Sequence, residues 1–142
     1  MELFGTAGIR GPVTEVTPDL ALAVGRAAGV DGSEFVVGRD GRETGSALAA
    51  ALTAGLESAG ATVLRVGAGP TPALAYASRG RRGVMVTASH NPPADNGLKC
   101  FVDGREYDRE TEKRIEARVE ADEEQAAWDE WGTDERVDVL DE

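Results

Sequence analysis

The 142-residue sequence holds one cysteine, one histidine and two lysines. Cys100 has no partner for an internal disulfide, and with His90 as the sole histidine the Cys/His clusters that bind zinc cannot be assembled. The longest apolar runs, such as Leu20 to Val24 and Ala47 to Leu52, fall far short of the ~20 residues that a membrane span needs. Met1 is followed at once by Glu2, with no signal-peptide pattern, so a cytoplasmic protein without a membrane partner is expected. There is no GxxxxGK[ST] loop, which excludes a P-loop nucleotide site. Gly67-Ala68-Gly69-Pro70 lacks the third glycine of a dinucleotide fingerprint, and Pro70-Thr71-Pro72 stops a helix from starting where a pyrophosphate would need it. That glycine pair reads as a tight strand-to-helix turn.

Charge is unevenly spread. Residues 1–102 hold nine acids and nine bases, whereas residues 103–142 hold seventeen acids and six bases, so the whole excess behind the net charge of -11 lies in the last forty residues. A tail of that sign repels phosphodiester backbones and anionic lipid, which argues against nucleic acid or membrane as a partner. Fifteen basic residues with only two lysines, in so acidic a chain, suit a halophilic protein; a GC-rich genome alone would also favour arginine.

Strands alternate with helices. Thr17-Pro18-Asp19 supplies an N-cap, a proline at N1 and an acid in the first turn, and the helix then runs through Leu20 to Ala28 and ends at Gly29. Glu34 to Gly38 is a β-branched strand, and Ser46 to Ala59 a helix closed by Gly60. Ala61 to Val66, Gly83 to Thr87 and Leu98 to Val102 read as further strands, with a short helix over Pro72 to Ser78. A last helix is expected from Asp108 to about Glu124. Together these give a layered α/β/α domain with a mainly parallel central sheet over residues 1–124. Residues 125–142, with Trp128, Trp131 and the weak apolar run Val137 to Leu140, read as an acidic linker or the start of a next domain.

One loop carries more chemistry than the rest. Thr87-Ala88-Ser89-His90-Asn91-Pro92 places two hydroxyls, an imidazole and an amide at the C-terminal end of a strand, where α/β sheets put ligands. Ser89 could serve as a nucleophile, and a phosphoryl group on it would need nearby donors; Arg10, Arg39, Arg42 and Lys99 are the candidates. The plainer reading is that Ser89 and His90 cap a turn before Pro92 and Pro93. A serine hydrolase is a poorer match, because Ser89 lacks the glycine flanks of a GxSxG elbow.

Four short motifs fall in the order of one family. FGTAGIRG (Phe4 to Gly11), VVGRDGRETG (Val36 to Gly45), GPTPAL (Gly69 to Leu74) and VTASHNPPADNGLK (Val86 to Lys99) resemble the N-terminal domain of the α-D-phosphohexomutases, which include phosphoglucomutase, phosphomannomutase and phosphoglucosamine mutase. TASHNP followed by NGLK is the most specific of the four. The Asp95-Asn96-Gly97 spelling leans toward the glucosamine branch.

The resemblance implies that Ser89 carries the transferred phosphoryl group, that a phosphoryl oxygen on it is one ligand of a Mg²⁺, and that Lys99 is the general acid or base near the sugar hydroxyl. It further implies catalytic or loop-ordering work for His90, and phosphate or substrate binding by Arg10, Arg39 and Asn91. The implied reaction moves a phosphoryl group from phosphoserine to a hexose phosphate, through a hexose bisphosphate that reorients and returns its other phosphoryl group. The Asp-rich metal loop and the sugar- and phosphate-recognition loops of the family's other domains have no counterpart in this sequence. The expectation is therefore a domain that works with the missing domains of the same enzyme and is inactive alone. The alternative is a short, non-catalytic module that needs a partner chain, with Trp128 and Trp131 as contact residues.

Overall fold

In the computed structural model, which describes residues 2–138, the capping chemistry of the sequence is realised directly. The Thr17 hydroxyl accepts from the Leu20 N–H at 3.1 Å, and Pro18 opens α1 (Pro18–Gly29). At the other end of the chain Asp108 accepts from the Thr111 N–H at 2.8 Å and starts α4 (Arg109–Glu120). That helix stops four residues before Glu124. Glu120, Asp122, Glu123 and Glu124 would crowd negative charge at the negative end of the helix dipole, and Asp122 instead turns to a positive φ of 55°.

Between these lie β1 (Ile9–Pro12), β2 (Glu34–Arg39), α2 (Gly45–Ser58), β3 (Thr62–Ala68), α3 (Thr71–Ala77), β4 (Arg82–Val86), β5 (Asp95–Val102) and β6 (Arg105–Glu106). A final strand, β7 (Asp134–Arg136), follows α4 and a 3₁₀ turn at Trp128–Glu130. The strands form one sheet in the order β1-β5-β4-β2-β3-β7, with β6 paired to β5. The β4–β2, β2–β3 and β3–β7 pairings are parallel, whereas β5 is antiparallel to all three of its neighbours. Among the described strands β5 alone runs against the rest, so the sheet is mainly parallel, as the alternating pattern implied.

Period-two alternation divides the core into two layers. Phe35, Val37, Val84, Val86, Leu98 and Cys100 face α1, α2 and α4, while Val36, Met85 and Phe101 face α3 with Leu74 and Ala77. The fold is thus a three-layered α/β/α domain. α1 and α2 meet through glycine: a Cβ on Gly25 would run into the Leu52 carbonyl oxygen, and one on Gly55 into the Leu22 carbonyl oxygen. The absent side chains let the two backbones touch.

Two strands carry little local signal. β1 is a Gly/Pro-flanked tetrapeptide that exists through its pairing with β5, Ile9 opposite Leu98 and Arg10 opposite Gly97. β7 consists of three exposed charged residues from the segment expected as a linker, and joins β3 through backbone pairing. Of the apolar run Val137 to Leu140, Val139 and Leu140 lie outside the described residues.

Candidate active site

β2 hands the chain to β3 on one side and β4 hands it to β5 on the other, so the loops leaving their C-terminal ends diverge. Such divergence makes the ligand crevice of open α/β sheets. The loop after β4 carries Ser89. Because β5 runs backwards, its first residues, Asp95 to Gly97, lie at that same end of the sheet.

Ser89 has a φ of 55°, a left-handed conformation that costs a non-glycine residue roughly 1–3 kcal/mol and persists only where its surroundings enforce it. Those surroundings are a charged network. The Ser89 N–H donates to Thr87 Oγ1 at 3.0 Å, and the Thr87 hydroxyl donates to Asp40 Oδ2 at 2.6 Å. Asp40 Oδ2 also accepts from Arg42 Nε at 3.1 Å. The Arg42 fork then donates to three loop carbonyls: Ser89 at 2.7 Å, Pro92 at 2.7 Å and Asp95 at 3.1 Å. Arg42 was a candidate phosphate cation, but four of its five N–H donors are taken up by backbone and by Asp40. Its work here is to hold the loop.

The outcome is an exposed Ser89 hydroxyl with one guanidinium on it, since Arg10 Nη2 donates to Ser89 Oγ at 3.1 Å. Arg10 is itself oriented by its Nε bond to the Ala7 carbonyl at 3.1 Å. A forked, permanently charged donor at that distance would meet the oxygens of a phosphoryl group on Ser89. The 79-residue separation between Arg10 and Ser89 is closed by the β1–β5 pairing, which no local pattern announces.

The other candidates are placed as follows. Asn91 closes the loop: its N–H donates to the Ala88 carbonyl at 3.0 Å and its Nδ2 to Asp95 Oδ2 at 3.2 Å. His90 is exposed next to Ser89 and makes no hydrogen bond among the described residues. Lys99 projects from β5 and its ammonium is paired to Glu106 Oε1 at 2.8 Å, with only 18% of its side chain exposed. Arg39, at the end of β2, is not bonded to the Ser89 loop; it lines a separate cavity beside α2.

A residue with no sequence signal supports the site from a distance. Glu116 on α4 is buried and accepts from the backbone N–H groups of Leu3 at 2.6 Å and Phe4 at 2.9 Å, and from Arg109. Burial alone would raise its pKa, but the Phe4 and Leu3 amides and the Arg109 guanidinium outweigh that and hold it below the usual value. This carboxylate ties down the segment that leads into β1 and Arg10.

Among the described residues no group of three His, Cys, Asp or Glu side chains could hold a metal ion. One phosphoryl oxygen does not satisfy Mg²⁺, which takes about six oxygen ligands. These residues therefore do not form a metal site by themselves.

The comparisons with known proteins bear on the family and the fold. Residues 1–126 match the family model described as phosphoglucomutase/phosphomannomutase, alpha/beta/alpha domain I. Phosphopentomutase from Thermococcus kodakarensis is 47% identical over 99% of this chain and 32% of its own length. Phosphoglucosamine mutase from Rhodococcus jostii is 52% identical over 81% of this chain and 29% of its own length. A phosphoglucomutase/phosphomannomutase family protein from Burkholderia thailandensis has a similar structure, with a TM-score of 0.88 and 33% identity, over 98% of this chain and 33% of that one. The chain spans about a third of the length of these relatives. By fold and by sequence, it belongs to the phosphoglucomutase/phosphomannomutase family and corresponds to that family's first α/β/α domain.

Proposed function

We propose that this chain is the phosphoserine-bearing domain of a phosphohexomutase, in which Ser89 carries the phosphoryl group exchanged between the 1- and 6-positions of a hexose phosphate. The observation that carries this reading is the exposed Ser89 hydroxyl, held in a left-handed turn with the Arg10 guanidinium 3.1 Å away. Phosphoryl transfer depends on positioning and charge compensation more than on covalent help from the protein. A rigid, cation-flanked hydroxyl is the part of that machinery one domain can supply.

In the reaction, the phosphoserine P–O bond breaks as a sugar hydroxyl attacks phosphorus, Ser89 Oγ departs, and a bisphosphate forms. After the bisphosphate reorients, Ser89 Oγ attacks its other phosphoryl group and the product monophosphate leaves. Arg10 offsets charge on the transferred group. Lys99 serves as general acid or base toward the sugar hydroxyl, a role that requires it to leave Glu106. His90 and Asn91 border the loop and contact the phosphoryl group or the sugar, and Arg39 binds a phosphate at the neighbouring strand end. Mg²⁺ would supply electrostatic stabilisation of the transferred group; this chain would offer it one phosphoryl oxygen on Ser89, and its other ligands would come from another domain.

The domain takes in β7 as well as residues 1–124, since Asp134–Arg136 extend the same sheet by pairing with β3. Exposing the chain to glucose 1,6-bisphosphate and measuring its intact mass tests the reading. One added phosphate on the wild type and none on Ser89→Ala is expected, and an adduct that persists in the variant overturns it. No glucose 1-phosphate turnover is expected from the isolated 142 residues; turnover that Ser89→Ala abolishes would overturn the need for further domains.

A further inference from the structure

The Ser89 loop is not the only concentration of cationic donors at this end of the sheet. A cavity of about 200 Å³ lies beside α2, lined by Arg39, Arg65 and Arg136 together with Ser46, Thr53 and Gly67, and it shares no lining residue with the loop from Thr87 to Lys99. Its lining contains no acidic side chain among the described residues.

Two of the three arginines, Arg39 and Arg136, have no carboxylate partner among the described residues. Arg65 and Arg136 are direct partners across the parallel β3–β7 pair, so their side chains stand on the same face, an arrangement that is repulsive when nothing lies between. Arg65 is the best compensated, with Asp134 at 2.7 Å and Glu57 beside that carboxylate. Arg136 has no carboxylate partner among the described residues, and its guanidinium lies over Gly67, where an added Cβ would meet Nη2 at 3.5 Å. Arg39 has a single long hydrogen bond, 3.5 Å to the Asp40 carbonyl.

The start of α2 adds to the field. Ser46, Ala49, Ala50 and Thr53 form the i, i+3, i+4, i+7 stripe of α2 that faces the cavity. The N-cap residue Thr44 has helical backbone angles and gives no side-chain cap to α2; its hydroxyl accepts from Asn96 Nδ2 at 2.7 Å. An uncapped helix N-terminus with three guanidinium groups favours a dianion. The volume is below the ~300 Å³ at which small-molecule pockets begin, so a phosphate group fits and a nucleotide does not.

We infer that Arg39, Arg65 and Arg136 form a phosphate-binding site separate from the Ser89 loop, which takes inorganic phosphate or the phosphate of a small monoester. This deepens the phosphate-binding role given to Arg39 above and does not rest on the role proposed for Ser89. Titration calorimetry of the chain with inorganic phosphate at low ionic strength, repeated with glucose 6-phosphate, tests it. Arg136→Gln is expected to weaken binding at least about tenfold, the loss of one charge-assisted contact. Arg136→Lys should fall between the two. Equal affinity for both ligands identifies a site for free phosphate, tighter binding of the ester one that accepts a monoester, and both support the proposal. Binding lost in Arg10→Gln but kept in Arg136→Gln would overturn it, as would no heat of binding at tens of millimolar phosphate with the wild-type circular dichroism spectrum intact.

Discussion

Replacing Arg42 with alanine removes the residue that holds the Ser89 loop. Its side chain is 13% exposed and makes four hydrogen bonds of 2.7 to 3.1 Å, one to Asp40 and three to the carbonyls of Ser89, Pro92 and Asp95. Hydrogen bonds to a charged group contribute about 1.5–3 kcal/mol each when isolated, but they are not additive, and the carbonyls of Ser89 and Pro92 are exposed enough to regain water. The larger share comes from Asp40, 25% exposed, which keeps only neutral donors once the guanidinium is gone. Release of Ser89 from its left-handed conformation returns ~1 kcal/mol. The net cost is about 2–4 kcal/mol. Urea unfolding followed by circular dichroism measures it, and amide exchange over residues 87–97 shows whether the loop has loosened. Arg42→Lys should recover only part, since an ammonium cannot span three carbonyls and a carboxylate as a planar fork does. Stability within ~0.5 kcal/mol of wild type, with unchanged exchange in the loop, would refute this account of the network.

Gly55→Ala, ordinarily a gain of ~1 kcal/mol inside a helix, should instead lower stability by ~1–3 kcal/mol, because the new Cβ meets the Leu22 carbonyl oxygen of α1; a raised urea midpoint would contradict the close helix contact. Burial and the nearby Asp134 carboxylate push the Glu57 pKa up to about 7 from 4.5, so the folded chain binds the extra proton between these values and stability falls as pH rises through that window. Compared with Glu57→Gln, the wild type should lose stability from pH 5 to pH 8, and parallel curves would contradict it. Burial pushes the Cys100 thiol up to about 12, so a thiol reagent should find no reactive group in the folded chain and one in urea.

What the sequence made legible is what local chemistry decides. The Thr17 cap, Gly60 at a φ of 102° after α2, and the alternating apolar residues of β2 and β4 each act within a few residues of where they sit. β1 and β7 were not legible, because pairing with β5 and β3, distant in sequence, creates them and neither carries an apolar pattern. The same division holds at the site. The Thr87 to Asn91 loop announced itself by composition and by its family resemblance, whereas the Arg10–Ser89 contact and the Arg42 fork arise from tertiary placement. Arg42 looked like a phosphate ligand because charge is visible in sequence and the carbonyls that consume its donors are not. Glu116 gave no signal at all, since a carboxylate on a polar helix reads as solvated until the N-terminal amides are seen to lie on it.

Ser89 as the phosphoryl carrier is tested most directly by phosphopeptide mapping of the protein isolated from the cells that make it. Trypsin cuts after Arg82 and Lys99, and the resulting peptide, Gly83 to Lys99, holds Thr87 and Ser89 as its only side-chain hydroxyls. One phosphate, located on Ser89, is the expected result. A phosphate on Thr87, or an unmodified peptide in a preparation that turns over hexose phosphates, would contradict it.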